Sequence, residues 1–386
     1  MEKLVPKLRF PEFEGNWKYQ DLKSISDIYD GTHQTPKYVD SGIPFVSVEN
    51  INDIYNTDKF ISKEAFEKEY KIKPKKDDIL MTRITAGIIG ATSIVKSNTP
   101  LAFYVSLALI RVKNNDVLVE FLNQRINTSY FKHELHRRII HIAFPKKINL
   151  GEIGLCKISY PLFPEQQKIA SFLTSVDERI TLLEKQKQGL ETYKKGVMQQ
   201  LFSQQLRFKD DKGKDFPDWE EKKLGDEVLI TKGQQLNKET LSLEGNYPCQ
   251  NGGIEPSGYT DNFNAYENTI TISEGGNSCG YVNYMSTKFW CGGHCYTLTD
   301  VKLENKFLYQ YLKYHQEQIM NLRVGSGLPN IQKSTLSSFK IHKPCLEEQK
   351  KIASFLSAID ARIDVVSKQI EQSKVFKKGL LQQMFV

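Results

Sequence analysis

One long internal repeat constrains the fold of this chain more than any other feature of its sequence. Residues 157–202 align with residues 340–385 without a gap, at a constant offset of 183 positions, and 22 of the 46 aligned residues are identical. The first copy contains EQQKIASFL at 165–173, and the second contains EQKKIASFL at 348–356. A repeat of this length indicates two copies of one structural unit, each accompanied by a region of its own.

A shorter similarity marks the start of each half. The tripeptide LRF occurs at 8–10 and again at 206–208, and Trp17 aligns with Trp219. The order is therefore variable region, repeat, variable region, repeat. Joining the end of the chain to its beginning would regenerate the central junction, so the arrangement is circular.

Each repeat has the periodicity of a long helix that begins after a proline. Pro161 and Pro344 follow the strand-like segments CKISY and FKIHK, and a heptad pattern of apolar residues then begins. A helix over about 164–201 would be roughly 55 Å long. Neither helix can bury its apolar seam alone, and the circular order predicts that the two seams pair in antiparallel orientation. The predicted helix-pair interface comprises Ile169, Leu173, Val176, Ile180, Leu183, Ile352, Leu356, Ile359, Ile363 and Val366. Gly196 and Gly379 are expected to be points of close approach or local breaks.

The two variable regions share little sequence, but both read as mixed α/β. Short β-rich runs lie between Gly, Asn and Pro residues, and each region ends in a helical stretch, 119–139 or 305–322. The predicted fold class is therefore α+β: two globular α/β domains with two long antiparallel helices that form a coiled-coil pair, related by a pseudo-twofold repeat. The predicted boundaries are 1–156 and 206–339 for the globular domains, and 157–205 and 340–386 for the helical segments.

Composition excludes several classes of protein. Of the 386 residues 39% are apolar and 26% are charged, which is typical of a globular chain and not of a disordered one. The longest apolar stretch, 101–110, is half the length of a membrane span, and no signal peptide is visible. Six cysteines are too few for a disulfide scaffold, so a cytoplasmic location is expected. The net charge of +7 permits a nucleic-acid partner without requiring one.

No motif for catalysis stands out. The chain has no Pro-Pro dipeptide of the kind found in amino methylases, no Walker A sequence and no GxGxxG after a strand. Cys279, Cys291, His294 and Cys295 could ligate zinc, but their spacing fits no common zinc pattern, and the alternation of a half-buried strand explains Cys291 and Cys295 equally well. We therefore predict no catalytic residue and no metal site.

Polar loops and one basic cluster are the candidates for binding. Between 131 and 147 the local charge is +4, and His133, His136 and His141 lie in the same segment. Such a cluster is typical of a solvated surface or of one that contacts phosphates. The polar loops combine glycine with side chains that can read base edges. The candidate DNA-binding residues are Thr32, Lys37, Tyr38, Arg83, Thr85, Arg137, Lys146, Lys147, Gln234, Gln235, Asn251, Ser257, Tyr259, Asn277, Arg323, Ser326, Asn330 and Lys333.

The whole pattern resembles the specificity subunit of a type I restriction-modification system. The resemblance is carried by two variable regions that alternate with two similar helical segments. It is also carried by the motif P-x-x-x-EQ-x-K-I-x-x-F-L-x-x-x-D-x-R-I, which fits 161–180 and 344–363. The preceding KISYP and KIHKP, the N-terminal LRFPEFEGNW and the central LRFKDDKGKDFPDW belong to the same family pattern. The short tandem repeat that some members carry after the first helix is absent.

The resemblance implies a protein that recognises DNA and leaves the chemistry to its partners. Each variable region would be a target recognition domain that reads one half of an asymmetric bipartite site in double-stranded DNA. The helices would act as a spacer and dock two methyltransferase subunits, and restriction/translocase subunits would complete the complex. S-adenosylmethionine, ATP and Mg²⁺ are expected on those partners, and no cofactor is expected on this chain.

Two other hypotheses about the function remain open from the sequence alone. The helical arms could be the functional surface of a protein-interaction scaffold that does not contact DNA. Alternatively, one variable region could contain an active site, although no nucleophile, metal or phosphate constellation supports this. The scaffold reading explains the helices but neither the basic cluster nor the dissimilarity of the two globular regions.

Overall fold

The computed structural model describes residues 4–113, 115–325, 327 and 329–386. They form two compact units. The first unit contains the residues up to Leu183 together with Gln369–Val386, and the second unit contains Glu184–Lys368. Each unit therefore includes one globular region and a part of each long helix, so the units cut across the four predicted segments.

The elements of the first unit are β1 (Lys18–Asp21), α1 (Leu22–Ile25), β2 (Ser26–Asp30), β3 (Tyr38–Val39), β4 (Ile43–Val46), β5 (Phe60–Ile61), α2 (Lys63–Glu69), β6 (Ile79–Thr82), β7 (Ile84–Thr85), β8 (Thr92–Ile94), β9 (Ala102–Phe103), β10 (Leu107–Val112), α3 (Val119–Ile126), α4 (Ser129–His136), β11 (Lys146–Lys147), α5 (Leu150–Gly154), β12 (Lys157–Tyr160) and the first part of α6 (Phe163–Phe202). The main sheet is four-stranded and antiparallel, in the order β2-β10-β6-β8. A second sheet has the order β3-β5-β4-β9, in which β4 and β9 are parallel. A short 3-10 turn covers Val48–Asn50.

The second unit repeats this plan. Its elements are the rest of α6, β13 (Glu220–Lys223), α7 (Leu224–Glu227), β14 (Leu229–Lys232), β15 (Tyr247–Gln250), β16 (Tyr259–Thr260), β17 (Thr269–Ser273), β18 (Val282–Met285), β19 (Trp290–Cys291), β20 (Cys295–Thr299), α8 (Asn305–Tyr314), α9 (Gln316–Met320), α10 (Lys333–Ser337), β21 (Lys340–Lys343) and the first part of α11 (Leu346–Gln383). The four-stranded antiparallel sheet has the order β14-β20-β17-β18, and a smaller sheet has the order β16-β15-β19 with β15 and β19 parallel. A 3-10 turn covers Lys238–Thr240.

Both long helices begin where the sequence predicts. β12 ends directly before Pro161 and β21 directly before Pro344, because proline has no N–H to continue a strand ladder. α6 then runs for 40 residues and α11 for 38. Gly196 and Gly379 lie inside these continuous helices with open space beside their Cα atoms. The expectation of a break or close approach at these two glycines is wrong, since a glycine costs a helix only about 1 kcal/mol and the long packed helices tolerate it.

Within the first unit, α6 and the end of α11 run antiparallel. The Val386 carbonyl accepts a hydrogen bond from Ser159, which precedes α6, while Lys377 forms an ion pair of 2.6 Å with Asp177, further along α6. The two helices therefore advance in opposite directions. In the second unit the equivalent ion pair joins Lys194 to Asp360 at 2.7 Å.

The predicted seam residues pack on their own globular region as well as on the other helix. Ile169, Leu173, Val176 and Ile180 share one core with Trp17, Phe121, Leu380 and Met384. In the second unit Ile352, Leu356 and Ile359 share a core with Phe202 and Phe307, and Ile363 packs at its edge. Leu183 and Val366 are buried as well. Each helix is therefore part of a domain core and not only of a coiled coil.

The EQ dipeptide of each repeat anchors the helix to its globular region. Glu165 accepts two hydrogen bonds of 2.8 Å from Arg9 and one of 3.3 Å from Trp17 Nε1. The adjacent Gln166 bonds the backbone at Leu118, Asp116 and Pro161.

The second repeat has the same anchor. Glu348 accepts hydrogen bonds from Arg207 at 2.8 and 3.2 Å and from Trp219 Nε1 at 3.2 Å. Gln349 bonds the backbone of Glu304 and Pro344. Each buried carboxylate needs an arginine and a tryptophan of its own unit as partners, and this accounts for the repetition of the motif.

The helical stretches before each repeat are shorter than predicted. Residues 119–139 divide into α3 and α4, because Thr128 accepts a hydrogen bond from the Phe131 N–H and caps the second helix. Residues 305–322 divide at His315 into α8 and α9. Gln124 on α3 donates to Asp177 at 2.9 Å, and Gln310 on α8 donates to Asp360 at 2.6 Å, so α3 and α8 have the same place in their units.

Candidate nucleic-acid interface

A buried arginine connects three loops at one end of the main sheet in the first unit. Arg83 follows β6, and its side chain is 8% exposed. Its guanidinium binds both carboxylate oxygens of Asp30, at the end of β2, at 3.0 and 3.1 Å. It also donates to the carbonyl of Val105 at 2.9 Å and of Ile148 at 3.1 Å. Arg83 and Asp30 thus hold together the loops that follow β2, β9 and β11.

The other candidates of the first unit lie around this ion pair. Thr32 is bridged to Tyr104, and its carbonyl accepts from the Val105 N–H. Thr85 in β7 pairs with Lys146 in β11. Lys37, just before β3, and Tyr38, its first residue, are exposed. The loop at 83–87 and the strand at 146–147 are neighbours through backbone hydrogen bonds, and Thr32 is joined to them through the 103–106 segment, which also bonds the backbone of Arg83 and Ile84.

The structure shows a role for Arg83 that the sequence did not suggest. All three of its side-chain nitrogens are engaged with Asp30, Val105 or Ile148, and the side chain is buried. Arg83 therefore holds the loops in place, and its contact with DNA stays a prediction. The sequence could not distinguish the two roles, because an arginine in a polar loop fits both.

The basic cluster of the first unit contains exposed cations, and part of its charge is neutralised by a glutamate. Lys146, Lys147 and Arg137 are exposed. Glu134 is buried and pairs with Arg137 and with Arg138, the latter at 2.9 Å, so it neutralises part of the cluster. The two lysines form β11, the strand that pairs with Thr85 and Ile84. This places exposed ammonium groups, suited to phosphate oxygens, beside the polar loops.

The second unit has a carboxylate at the corresponding place. Glu274 follows β17, the counterpart of β6, and its side chain is 13% exposed. Its Oε1 accepts from Lys232 Nζ at 2.6 Å and from the Tyr296 hydroxyl at 3.2 Å. Lys232 ends β14, the counterpart of β2. The ion pair at this end of the sheet is therefore conserved in position and reversed in sign relative to Asp30 and Arg83.

Backbone bonds show that the two places correspond. The Arg83 carbonyl accepts from the Ile148 N–H at 3.0 Å, and the Glu274 carbonyl accepts from the Ile331 N–H at 2.8 Å. Ile148 and Ile331 are 183 positions apart, which is the offset of the repeat. In both units this bond joins the end of a central strand to the loop before the final short helix.

Several candidate residues of the second unit lie near Glu274. The Gln234 N–H donates to the Cys291 carbonyl at 2.8 Å, and Asn251 Oδ1 accepts from the His294 N–H at 3.2 Å. Asn330 is bridged to both Gly275 and Val324. The exposed members are Gln234, Gln235, Ser257, Tyr259, Asn277, Arg323, Asn330 and Lys333, while Asn251 is half-buried. Ser326 lies outside the described residues.

Of the four charged residues that pair at these sheet ends, only Arg83 was predicted as a site residue. Asp30, Lys232 and Glu274 were not singled out. A usable signal was present, since each is a charged residue that directly ends or follows an apolar strand. The exposed apolar residues Ile142 and Phe144 were also missed, because exposure of a side chain cannot be read from its identity.

Two of the cysteines considered as zinc ligands belong to a small core cluster of the second unit. Cys291 and Cys295 are buried in a cluster with Ala265, Met285 and Phe289. The hydrogen bond to Cys295, together with burial, raises the pKa of the Cys291 thiol. Among the described residues, no group of three or more His, Cys, Asp or Glu side chains could hold a metal ion. Over the same ranges, no helix has both the length and the apolar character to cross a membrane.

Comparison with known proteins identifies the family of this architecture. The profile of the type I restriction modification DNA specificity domain matches residues 14–192 and 217–373. A putative type I specificity subunit of Mycoplasma pneumoniae is 36% identical over 171 residues, which cover 43% of this chain and 45% of that protein. A similar subunit of Mycoplasma genitalium is 35% identical, with 43% and 44% covered. The chain thus spans about half the length of these two relatives.

Two further similarities extend over almost the whole chain. A putative type I restriction enzyme specificity subunit of Methanocaldococcus jannaschii is 27% identical, over 98% of this chain and 95% of that protein. A crystal structure of a type I restriction-modification S subunit from M. genitalium has the same fold, with a TM-score of 0.69, 18% identity and 99% of each chain covered. With two matched segments that take in most of its length, the chain belongs to the type I restriction modification DNA specificity domain family.

Proposed function

We propose that this chain is the non-catalytic DNA-recognition subunit of a type I restriction-modification complex. The observation that carries the proposal is that each unit gathers its exposed polar loops at one end of its main sheet, around a charged pair: Asp30 with Arg83, or Lys232 with Glu274. Such a surface can present amides, hydroxyls and ammonium groups to base edges and phosphates. Family membership supports the same role.

Each globular region would read one half of a bipartite site. We assign recognition to residues 1–156 and 206–339, and the spacer role to 157–205 and 340–386. The loops of the two regions differ in sequence, so the two half-sites would differ and the target would be asymmetric. Discrimination of about 1–3 kcal/mol per base pair in each half-site would add when both regions bind one duplex.

The chemistry would be carried out by partner subunits. Two methyltransferase subunits would dock on the helical segments, bind S-adenosylmethionine and methylate adenine at N6. Restriction/translocase subunits would add cleavage that depends on ATP and Mg²⁺. A complex acting on cellular DNA would work in the cytoplasm. This chain would bind no cofactor itself.

The test is to map N6-methyladenine by sequencing. The chain is co-expressed with the methyltransferase subunit of its own system in a host that lacks DNA methylation. One asymmetric split motif, present only when this chain is included, is the expected result. A stable complex that leaves no motif would support the scaffold reading and contradict DNA recognition.

A matched pair of variants tests the basic surface. Lys146→Gln combined with Lys147→Gln removes two exposed ammonium groups beside Thr85. We expect weaker binding to every DNA sequence and a smaller dependence of affinity on salt, by about two phosphate contacts. Lys63→Gln combined with Lys68→Gln, on α2, removes the same charge elsewhere and serves as the control. Equal effects of the two double variants would exclude a local role for Lys146 and Lys147.

A further inference from the structure

Hydrogen bonds hold the two ends of a short loop of the first unit, residues 141–146. The Ile140 N–H donates to the Lys147 carbonyl at 2.8 Å, and Lys146 and Lys147 pair with β7. His141 Nε2 lies 3.0 Å from the His136 carbonyl, and the two imidazole rings are 4.6 Å apart. The base of the loop is thus held by two neighbouring elements, β7 and α4.

The tip of this loop presents two large apolar side chains to solvent. Ile142 is 99% exposed and Phe144 is 90% exposed, the highest values among the large apolar residues of the first unit that the structure describes. Single exposed apolar residues are common on protein surfaces. Here the two are separated only by Ala143, on a loop whose base is held by hydrogen bonds, so they are presented together.

The surroundings of these two residues favour a nucleic acid as the partner. Lys146 and Lys147 follow directly and are exposed, and Arg137 is exposed at the end of α4. The adjoining strand carries Thr85, beside the loops that Arg83 and Asp30 hold together. Lysine is depleted at the centres of protein–protein interfaces, whereas an apolar side chain flanked by basic residues is typical of proteins that unstack DNA.

We propose that this loop is a DNA wedge: Phe144, supported by Ile142, inserts between two stacked base pairs while Lys146 and Lys147 bind the adjacent phosphates. Insertion would bury both apolar side chains and bend the duplex at the first half-site. The inference rests on the proposed function, since it assigns a mode of contact to the same surface. It goes beyond that function because it predicts DNA deformation that the reading of base edges does not require.

The corresponding loop of the second unit has a different composition. It is closed by Val324 and Asn330, which exchange backbone hydrogen bonds of 2.8 and 3.0 Å. The sequence at its tip is Gly-Ser-Gly-Leu-Pro, with glycines at 325 and 327, whereas the tip of the first loop contains Ile142 and Phe144. Ser326 and Leu328 are outside the described residues, and the wedge is proposed for the first unit, where Ile142 and Phe144 are exposed.

The test uses 2-aminopurine, whose fluorescence rises when it is unstacked. The full chain, assembled with its methyltransferase subunits, is bound to duplexes that carry the target from methylome mapping. The probe is placed at each base step in turn, except at the methylated adenines. We expect increased fluorescence at one step of one half-site. Phe144→Ala should abolish the increase and weaken binding roughly tenfold, and Ile142→Ala should weaken binding roughly threefold.

Two further variants separate insertion from the loss of exposed apolar surface in general. Phe144→Trp should preserve the fluorescence increase, because a larger aromatic ring can still insert. Leu229→Ala removes a half-exposed apolar side chain from β14 in the second unit and should change neither fluorescence nor affinity.

The outcomes distinguish the wedge from the proposed function. Sequence-specific binding without unstacking at any step, or unstacking that survives Phe144→Ala, would overturn the wedge and leave DNA recognition intact. Loss of methyltransferase assembly in Phe144→Ala would identify the loop as a protein contact and also overturn it. Absence of sequence-specific binding by the wild-type complex would refute the proposed function itself.

Discussion

The two units share a framework and differ at the ends of their main sheets. Both have a four-stranded sheet of the same order and a buried Glu-Gln pair that fixes a long helix. Both also have a glutamine that bonds an aspartate of that helix. At the loop end, however, the first unit has Asp30 paired with Arg83, and the second has Lys232 paired with Glu274.

The difference shows which parts of the fold tolerate divergence. The helix anchor is buried and each partner depends on the others, so a change in one leaves a buried charge without compensation. At the sheet ends an ion pair of either sign can hold the loops, provided that the neighbours match. Arg83 donates to two carbonyls, whereas Glu274 accepts from the Tyr296 hydroxyl. The loops can therefore vary while the framework stays constant.

The largest effect is expected from the shared anchor. Glu165→Ala and Glu348→Ala each remove a carboxylate that is almost fully buried, with side-chain exposures of 3% and 0%. We expect each to cost about 3 kcal/mol in the free energy of unfolding, because an arginine and a tryptophan lose their acceptor. The loss should be similar in size and confined to the unit that carries the change. Denaturant unfolding followed by hydrogen exchange of each unit measures it.

The control for the anchor is an exposed glutamate on the same helix. Glu178→Ala should change stability by less than about 0.5 kcal/mol. A large difference between the two anchor variants would contradict the view that both units are fixed in the same way. Glu165→Gln and Glu348→Gln should lose less than the alanine variants, since one acceptor oxygen remains.

A smaller and unequal effect is expected at the sheet ends. Arg83→Met should cost about 2 kcal/mol, because the carbonyls of Val105 and Ile148 lose their donor. Glu274→Met should cost about 1 kcal/mol, since Lys232 is 52% exposed and can be solvated. Both should increase hydrogen exchange in the loops of their own unit and relax its half-site preference.

Reversing the charges of the first pair sharpens the comparison. Asp30→Lys combined with Arg83→Glu copies the polarity of the second unit into the first. We expect no rescue, because a carboxylate at position 83 would face the Val105 and Ile148 carbonyls. Recovery of wild-type stability and half-site preference would mean that the sign of the pair is arbitrary, and the neighbouring carbonyls would then be irrelevant.

The framework of long helices could be predicted from the sequence, because the same helical pattern occurs in both copies of the repeat. The heptad pattern predicted α6 to within one residue at each end, and the proline at 344 marked the start of α11. The boundaries of the short strands and the division at Thr128 were less accessible, since a single cap residue decides them. Local pattern was informative wherever the structure depends on neighbours in sequence.

The candidate site was predicted as a set of loops but not as a geometry. Arg83 and Lys146 were both predicted to contact DNA, yet one is buried in an ion pair and the other is exposed. That distinction depends on Asp30, which lies 53 residues away in sequence and meets Arg83 only in the folded sheet. Pairings across the sheet therefore could not be inferred from residue type and spacing.

The smallest effect concerns the pH dependence of one position that differs between the units. Lys313 at the end of α8 donates to the carbonyl of Val282 in β18 at 2.9 Å, as Asn127, just after α3, donates to Thr92 in β8 at 2.7 Å. Burial, with the nearby charge of Lys194, lowers the pKa of Lys313 to about 8, and Asn127 does not titrate. In the unfolded chain a lysine has a pKa of about 10.4. Between these values the unfolded state binds more protons, so the second unit should become more stable as pH rises from 8 to 10.

Lys313→Met isolates this contribution. The wild-type chain should gain stability relative to the variant between pH 7 and pH 9.5, by less than about 1 kcal/mol because the lysine keeps some solvent contact. Asn127→Leu provides the matched change in the first unit and should alter stability by an amount independent of pH over the same range. Hydrogen exchange of β18 and β8 reads the two units separately. A difference between wild type and Lys313→Met that stays flat across this range would show that Lys313 remains fully charged, held by Val282 and Gln316, and that the two helix ends are equivalent in their response to pH.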